Sequence, residues 1–153
     1  MSYYKKCPSS FHGKIEEIPG ISVDNFTGEN AKSRAYFISH FHADHIQGID
    51  DTRLLEHLKK TNVFIYTSKT TLTIMRHRVT NNELLQYVQE LSEGSNPITL
   101  PTVPEDHLEE MSLDVILIPT EHCLGSCMFL FKTTNKTILY TGDFRISIND
   151  IEK

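Results

Sequence analysis

Four residues that bind metal ions well fall within six positions of this 153-residue chain: His40, His42, Asp44 and His45, in Ser39-His40-Phe41-His42-Ala43-Asp44-His45. The pattern is H-x-H-x-D-H, which a histidine-rich surface loop rarely reproduces. In extended backbone, side chains two apart point the same way, so His40 and His42 can share one ion. Asp44 and His45 follow the strand, where the chain can turn, and can face a second ion nearby. Neutral imidazole and carboxylate suit zinc, and also manganese or iron. Two more candidates lie downstream: His122 in Thr120-Glu121-His122-Cys123-Leu124-Gly125-Ser126, and Asp143 in Tyr140-Thr141-Gly142-Asp143-Phe144-Arg145. An Asp in a Gly-Asp turn is usually only a turn residue. Here it completes a series in which three separate strands each end in a ligand.

The elements that must hold these residues are readable as patterns. Ala35-Tyr36-Phe37-Ile38 is a buried strand running into the histidines. Val115-Ile116-Leu117-Ile118 leads to His122, and Thr137-Ile138-Leu139-Tyr140 leads to Asp143. Residues 21–23, 34–39, 62–67 and 113–118 read as strands. Residues 46–60 have helical spacing, with Ile46, Ile49, Leu54, Leu55 and Leu58 as apolar positions. Residues 69–78 and 82–91 also read as helices, the second with Leu84, Leu85, Val88 and Leu91 on one face. Gly94, Pro97, Pro101 and Pro104 mark 92–104 as loop or short strand. Cys127–Lys132 and Thr137–Tyr140 form a hairpin around Thr134-Asn135-Lys136. Tyr36, Phe37, Phe129 and Phe131 alternate in strand-like runs and read as core. Residues 1–20 lack periodicity and read as a mobile amino-terminal segment, ahead of one domain over 21–153.

These motifs together resemble the metallo-β-lactamase superfamily in its β-CASP branch, and within it the DNA crosslink-repair nucleases. The resemblance covers residues 21–146. Ile21-Ser22-Val23-Asp24-Asn25-Phe26 matches the first family motif, the H-x-H-x-D-H stretch the second, Glu121-His122-Cys123-Leu124-Gly125-Ser126 the third, and Tyr140-Thr141-Gly142-Asp143-Phe144-Arg145 the fourth. Leu124 stands where the family usually has Pro. The resemblance implies an α/β, αββα sandwich, of which this chain is expected to carry the amino-terminal half, without the β-CASP domain. It implies that His40, His42 and His122 hold the first metal, Asp44 and His45 the second, and that Asp143 bridges them. It assigns Asp24, with Asp44, to the catalytic machinery, as the residue that orients a ligand from behind. It makes Ser126 and Arg145 substrate contacts. The cofactor is one or two zinc ions, with magnesium or manganese as alternatives in the second position. Two ions roughly 3.5–4 Å apart can activate a water and clamp the oxygens of a phosphodiester. The expected substrate is DNA, as ends, hairpins or single strands, with DNA-repair proteins as partners and the nucleus as location.

Composition bounds this reading. The net charge is −5 and the pI about 5.9, not the footprint of a nucleic-acid surface, which is normally basic. Lys32, Arg34 and Arg145 are the basic residues near the motifs. Most DNA contacts are therefore expected outside this stretch. The three cysteines give no disulfide framework and read as buried free thiols. His12, His57, His77 and His107 stand apart from the ligand pattern. No signal peptide is visible, and no apolar run approaches the roughly 18 residues of a membrane span. The chain reads as soluble and intracellular. Two alternatives stay open: a small-molecule or RNA hydrolase of the same superfamily, and a non-catalytic metal-binding fragment. Arg145 after Gly-Asp-Phe favours DNA. Half a sandwich would leave a sheet face bare, so the chain alone is expected to be inactive or poorly folded.

Overall fold

Strand β2 (Ala35–Ile38) is buried at every residue, as expected of a parallel strand covered on both faces. The computed structural model describes residues 11–145. In it β2 lies between β1 (Ile21–Val23) and β3 (Ile65–Ser68), and β4 (Val88–Leu91) completes a four-stranded, all-parallel sheet in the order β1-β2-β3-β4. Helices α1 (Thr52–Thr61) and α2 (Lys69–Arg78) fall in the connections on either side of β3. Successive parallel strands joined by right-handed crossovers put every connection on the same face. That face packs Tyr36 and Ile38 of β2 against Leu54 and Leu58 of α1 and Leu72 and Met75 of α2.

The other face is covered by a second sheet. Its antiparallel order is β5 (Gly94–Leu100), β6 (Met111–Pro119), β7 (Cys127–Lys132) and β8 (Thr137–Tyr140). Alternation decides what meets between the sheets: Ala35 and Phe37 from β2, and Leu113, Val115, Leu117, Phe129 and Phe131 from the second sheet. Phe37 sits edge-on to both Phe129 and Phe131, with ring centroids 5.5 and 4.9 Å away. Two sheets and one helical layer are thus three of the four layers of an αββα sandwich. No second helical layer occurs among the described residues, nor any helix long and apolar enough to cross a membrane.

Several expected boundaries move. The helix expected over 46–60 starts only at Thr52, because Gly48 takes a positive φ of 83° and Asp51 caps the helix by accepting from the Arg53 amide. The 62–67 strand begins at Ile65, after Asn62 has closed α1 in the left-handed region. Residues 82–91 are not a helix. A 3-10 turn at Leu84–Tyr87 runs into β4, whose Val88 pairs with Ile65 of β3. Within 92–104, expected as loop or short strand, residues 94–100 form a seven-residue strand. Residues 1–10 of the segment expected to be mobile lie outside the described residues. Residues 11–20 pack instead: Ile15 and Ile18 enter the core, and the Gly13 carbonyl accepts from the Val23 amide on the open edge of β1.

Candidate metal centre

All four parallel strands run the same way, so their carboxyl ends share one edge of the sheet, where α/β folds place their sites. Asp24 follows β1, and Ser39, His40, His42 and His45 follow β2. From the second sheet come the 120–126 loop between β6 and β7, with His122, and Asp143 just after β8. The loop is fastened by Ser126. Its buried hydroxyl takes part in bonds with the Thr120 hydroxyl, the Cys123 amide and the carbonyls of Thr120 and Cys123, at 2.7–3.1 Å. The Gly125 carbonyl accepts from Ser68 and Thr71 at the start of α2. Gly142, with φ of 52°, lies where an added Cβ would come within 2.9 Å of the Ser39 hydroxyl oxygen.

These elements bring ring nitrogens and carboxylates into one group. His42 Nδ1 lies 3.0 Å from His40 Nε2 and 3.3 Å from His122 Nε2. Asp143 Oδ2 is 3.4 Å from His122 Nε2 and 3.9 Å from His40 Nε2, while its Oδ1 is 3.5 Å from His45 Nε2. Asp44 Oδ2 is 3.7 Å from the same His45 nitrogen. Two donors each about 2 Å from a shared ion lie roughly 3–4 Å apart, so these spacings suit ligands around a cation. His40 is fully buried, whereas the side chains of Asp44 and Asp143 are 41% and 45% exposed. The centre is therefore anchored at its base and open at its rim.

Hydrogen bonds behind the cluster assign the tautomers. Asp24, in the left-handed region with φ of 55°, accepts from the Ser39 amide at 2.7 Å, the Ser39 hydroxyl at 2.5 Å, His45 Nδ1 at 2.9 Å and the Tyr140 hydroxyl at 2.8 Å. Because Ser39 donates its hydroxyl proton to Asp24, it accepts from His40 Nδ1 at 3.0 Å. Both Nδ1 atoms are then donors, and both Nε2 lone pairs face the cluster. Burial, and next the nearby His45, holds the His40 imidazole down to about 4, so it is neutral at physiological pH. Burial also pulls on His45, but the hydrogen bond and charge of Asp24, with Asp143 and Asp44, outweigh it and leave His45 raised. Burial first, then the Asp24 charge, pushes the Tyr140 phenol far up, and it stays a donor. Three convergent nitrogens, flanked by carboxylates, fit one divalent cation on His40, His42 and His122. His45, Asp44 and Asp143 fit another.

Not every expected site residue faces this group. Asp24 spends its carboxylate on Ser39, His45 and Tyr140, which places it behind the cluster as an orienting group. Ser126 is buried and uses its hydroxyl within the 120–126 loop; it organises the His122 loop and is not offered to a phosphate. Arg34 is buried away from the site, donating to the Pro19, Pro101 and Glu109 carbonyls. Arg145 is exposed two residues beyond Asp143. Cys127 is buried as expected, but Cys123 is half-buried, and its Sγ lies within 4.8 Å of the ligating nitrogens of His40, His42 and His122. Ser39 and Tyr140 carried no role in the sequence reading; their positions beside the second and fourth motifs were the available signal. A cleft of about 460 Å³ lies on the α2 side of the loop, lined by Ser68, Lys69, Thr70, Glu90, Thr120 and Ser126.

Known proteins resemble this chain in sequence and in fold. The model of the family described as Anti-Pycsar protein Apyc1 matches residues 20–153. Protein artemis of Rattus norvegicus is 39% identical over 150 residues, which is 95% of this chain and 21% of that protein. The 5′ exonuclease Apollo of Mus musculus is 32% identical over 126 residues, covering 82% of this chain and 21% of that protein. The chain thus spans about a fifth of the length of the curated relatives it matches. Among solved structures, Igni18, a metallo hydrolase from Ignicoccus hospitalis, covers 89% of this chain and 57% of its own, with a TM-score of 0.52 at 16% identity. The chain belongs to the family of the Anti-Pycsar protein Apyc1 model, is similar along its length to the amino-terminal region of Artemis, and has a metallo-β-lactamase-type fold.

Proposed function

We propose that this chain carries the metal centre of a DNA nuclease that hydrolyses phosphodiester bonds with a water nucleophile, acting in DNA repair on ends, hairpins or single strands. The observation that carries the reading is the convergence of His40, His42, His122, His45, Asp44 and Asp143 at one sheet edge. His40, His42 and His122 would hold a first ion, zinc by donor type. Asp44 and His45 would hold a second, zinc, magnesium or manganese, with Asp143 between the two. Bound divalent cations supply Lewis acidity and a water acidified to near-neutral pKa. The chain's own groups do the rest. The buried network behind His40 and His45 fixes their tautomers. Asp44, a half-exposed carboxylate at the rim, takes the proton of the attacking water. Arg145 contacts the substrate backbone from the edge of the centre. A role in DNA repair requires nuclear location and repair-protein partners.

The test is metal content by elemental analysis together with cleavage of a labelled DNA hairpin and a labelled single strand. Stoichiometric metal and cleavage in wild type, both lost in His40→Ala with Asp143→Ala, would show that this stretch assembles a working centre by itself, against the expectation from half a sandwich. Asp44→Asn is expected to lower cleavage at least about 100-fold, as for loss of a positioned proton acceptor. Metal uptake without cleavage of either DNA would assign a metal-binding role alone. Absence of metal from the wild type would sink the reading altogether.

A further inference from the structure

The Tyr140 hydroxyl reaches from the end of β8, in the second sheet, to a carboxylate at the end of β1, in the first. It donates to Asp24 Oδ2 at 2.8 Å, on the oxygen that also receives His45 Nδ1. Its ring packs against Phe11, centroid to centroid 5.1 Å. Three residues later the same strand end delivers Asp143. One hydroxyl therefore ties together the two residues whose facing atoms, His45 Nε2 and Asp143 Oδ1, stand 3.5 Å apart.

We propose that Tyr140 is a positioning residue for the second ion: its bond to Asp24 sets the His45 imidazole and the Asp143 strand end at ligating separation. The three histidines of the first ion do not depend on that bond; Asp143 Oδ2, 3.4 Å from His122 Nε2 and 3.9 Å from His40 Nε2, is the one residue shared with the second. His42 and His122 have no contact with Asp24 or Tyr140 among the bonds described above. His40 is held by burial and by Ser39, whose amide and hydroxyl keep their own bonds to Asp24. Removing the Tyr140 hydroxyl takes one of three donors from Asp24 Oδ2 and unties β8, while leaving the Ser39 connection in place. The effect falls on the half of the centre that spans the sheets. The inference rests on the two-ion reading above.

Stepwise titration of the metal-free chain with zinc, and in parallel with cobalt(II) followed by its visible absorption, tests it. Two uptake steps in wild type test the two-ion reading; the ratio of variant to wild type at each step tests Tyr140. Tyr140→Phe keeps the ring and its packing. It is expected to weaken the second step about tenfold, the scale for loss of a partner behind a metal ligand. The first step, held by three histidine nitrogens, should weaken clearly less than the second. Asp24→Asn, which also disturbs Ser39 and so His40, is expected to weaken both steps. Equal weakening of both steps in Tyr140→Phe would mean a general packing role and would overturn the proposal, as would no change in either. A single step in wild type would overturn it together with the two-ion reading. Should Tyr140→Phe not fold, nitrogen NMR of metal-free wild type in mildly alkaline solution still decides. His45 must carry its proton on Nδ1, and an Nε2–H tautomer would refute the arrangement.

Discussion

His40 concentrates the chemistry of a single residue. It is fully buried, it donates through Nδ1 to Ser39, and burial, then His45, holds its imidazole down to about 4 from an ordinary 6.5. The unfolded chain takes up this proton near 6.5 and the folded chain only near 4. Its contribution to stability is therefore intact above pH 6.5 and is lost progressively as pH falls to about 4. His45 works with the opposite sign: its raised value adds stability below 6.5, which is lost as pH rises through the folded-state value. Denaturant midpoints of the metal-free chain are expected to fall across that acid window, and His40→Asn to flatten the fall. An unaltered slope in the variant would remove His40 from this account. The clustering of the six candidate ligands was legible in the sequence because residue type and spacing announce it, and the family resemblance gave Asp24 its orienting role. Ser126 and Tyr140 were misread or passed over for one shared reason. Their roles are set by which hydrogen bonds they spend inside the protein, and no spacing rule encodes that.

Single conformations decide whether elements deliver those residues. Gly142 is the clearest case, with positive φ and no room for a Cβ beside Ser39. Gly142→Ala is expected to cost about 1–3 kcal/mol and to displace Asp143, read as a lower thermal midpoint together with weaker metal uptake. A variant matching wild type in both would show that the turn can adopt another path. At this scale the sequence was readable where one periodicity stood alone. Leu113, Val115 and Leu117 alternate and form a strand, and Ser68 caps α2 by accepting from the Thr71 amide. It was ambiguous at 82–91, where Leu84, Leu85, Val88 and Leu91 satisfy helical spacing. There the open edge of β3 supplied hydrogen-bond partners that only the assembled sheet can offer. Arg34 is a related case: its hydrophilic type suggested surface, but three carbonyls draw it inside.

Across the described residues, the two sheets cover each other and the outer face of the second sheet is left uncovered. Ile118 and Leu139 are 37% and 50% exposed on the outer side of the second sheet, opposite Met128 and Leu130 in the ladder. Such a face promotes association, and β8 is an edge strand, where lysine is a common deterrent. Leu139→Lys is expected to reduce concentration-dependent light scattering of the chain with little change in its melting temperature. Scattering equal to wild type would clear this face of responsibility. Mixed α/β character was legible from strand and helix patterns and the layered sandwich from the family resemblance, but the pairing of a parallel with an antiparallel sheet was not, because it depends on contacts remote in sequence. That same remoteness gives the metal centre a place in time. His40 and Asp143 stand about 100 residues apart. During synthesis the amino-terminal histidines emerge first, and Asp143 follows only with β8. A cation held by His40 and Asp143 together would therefore register that β8 has docked against the ends of the first sheet.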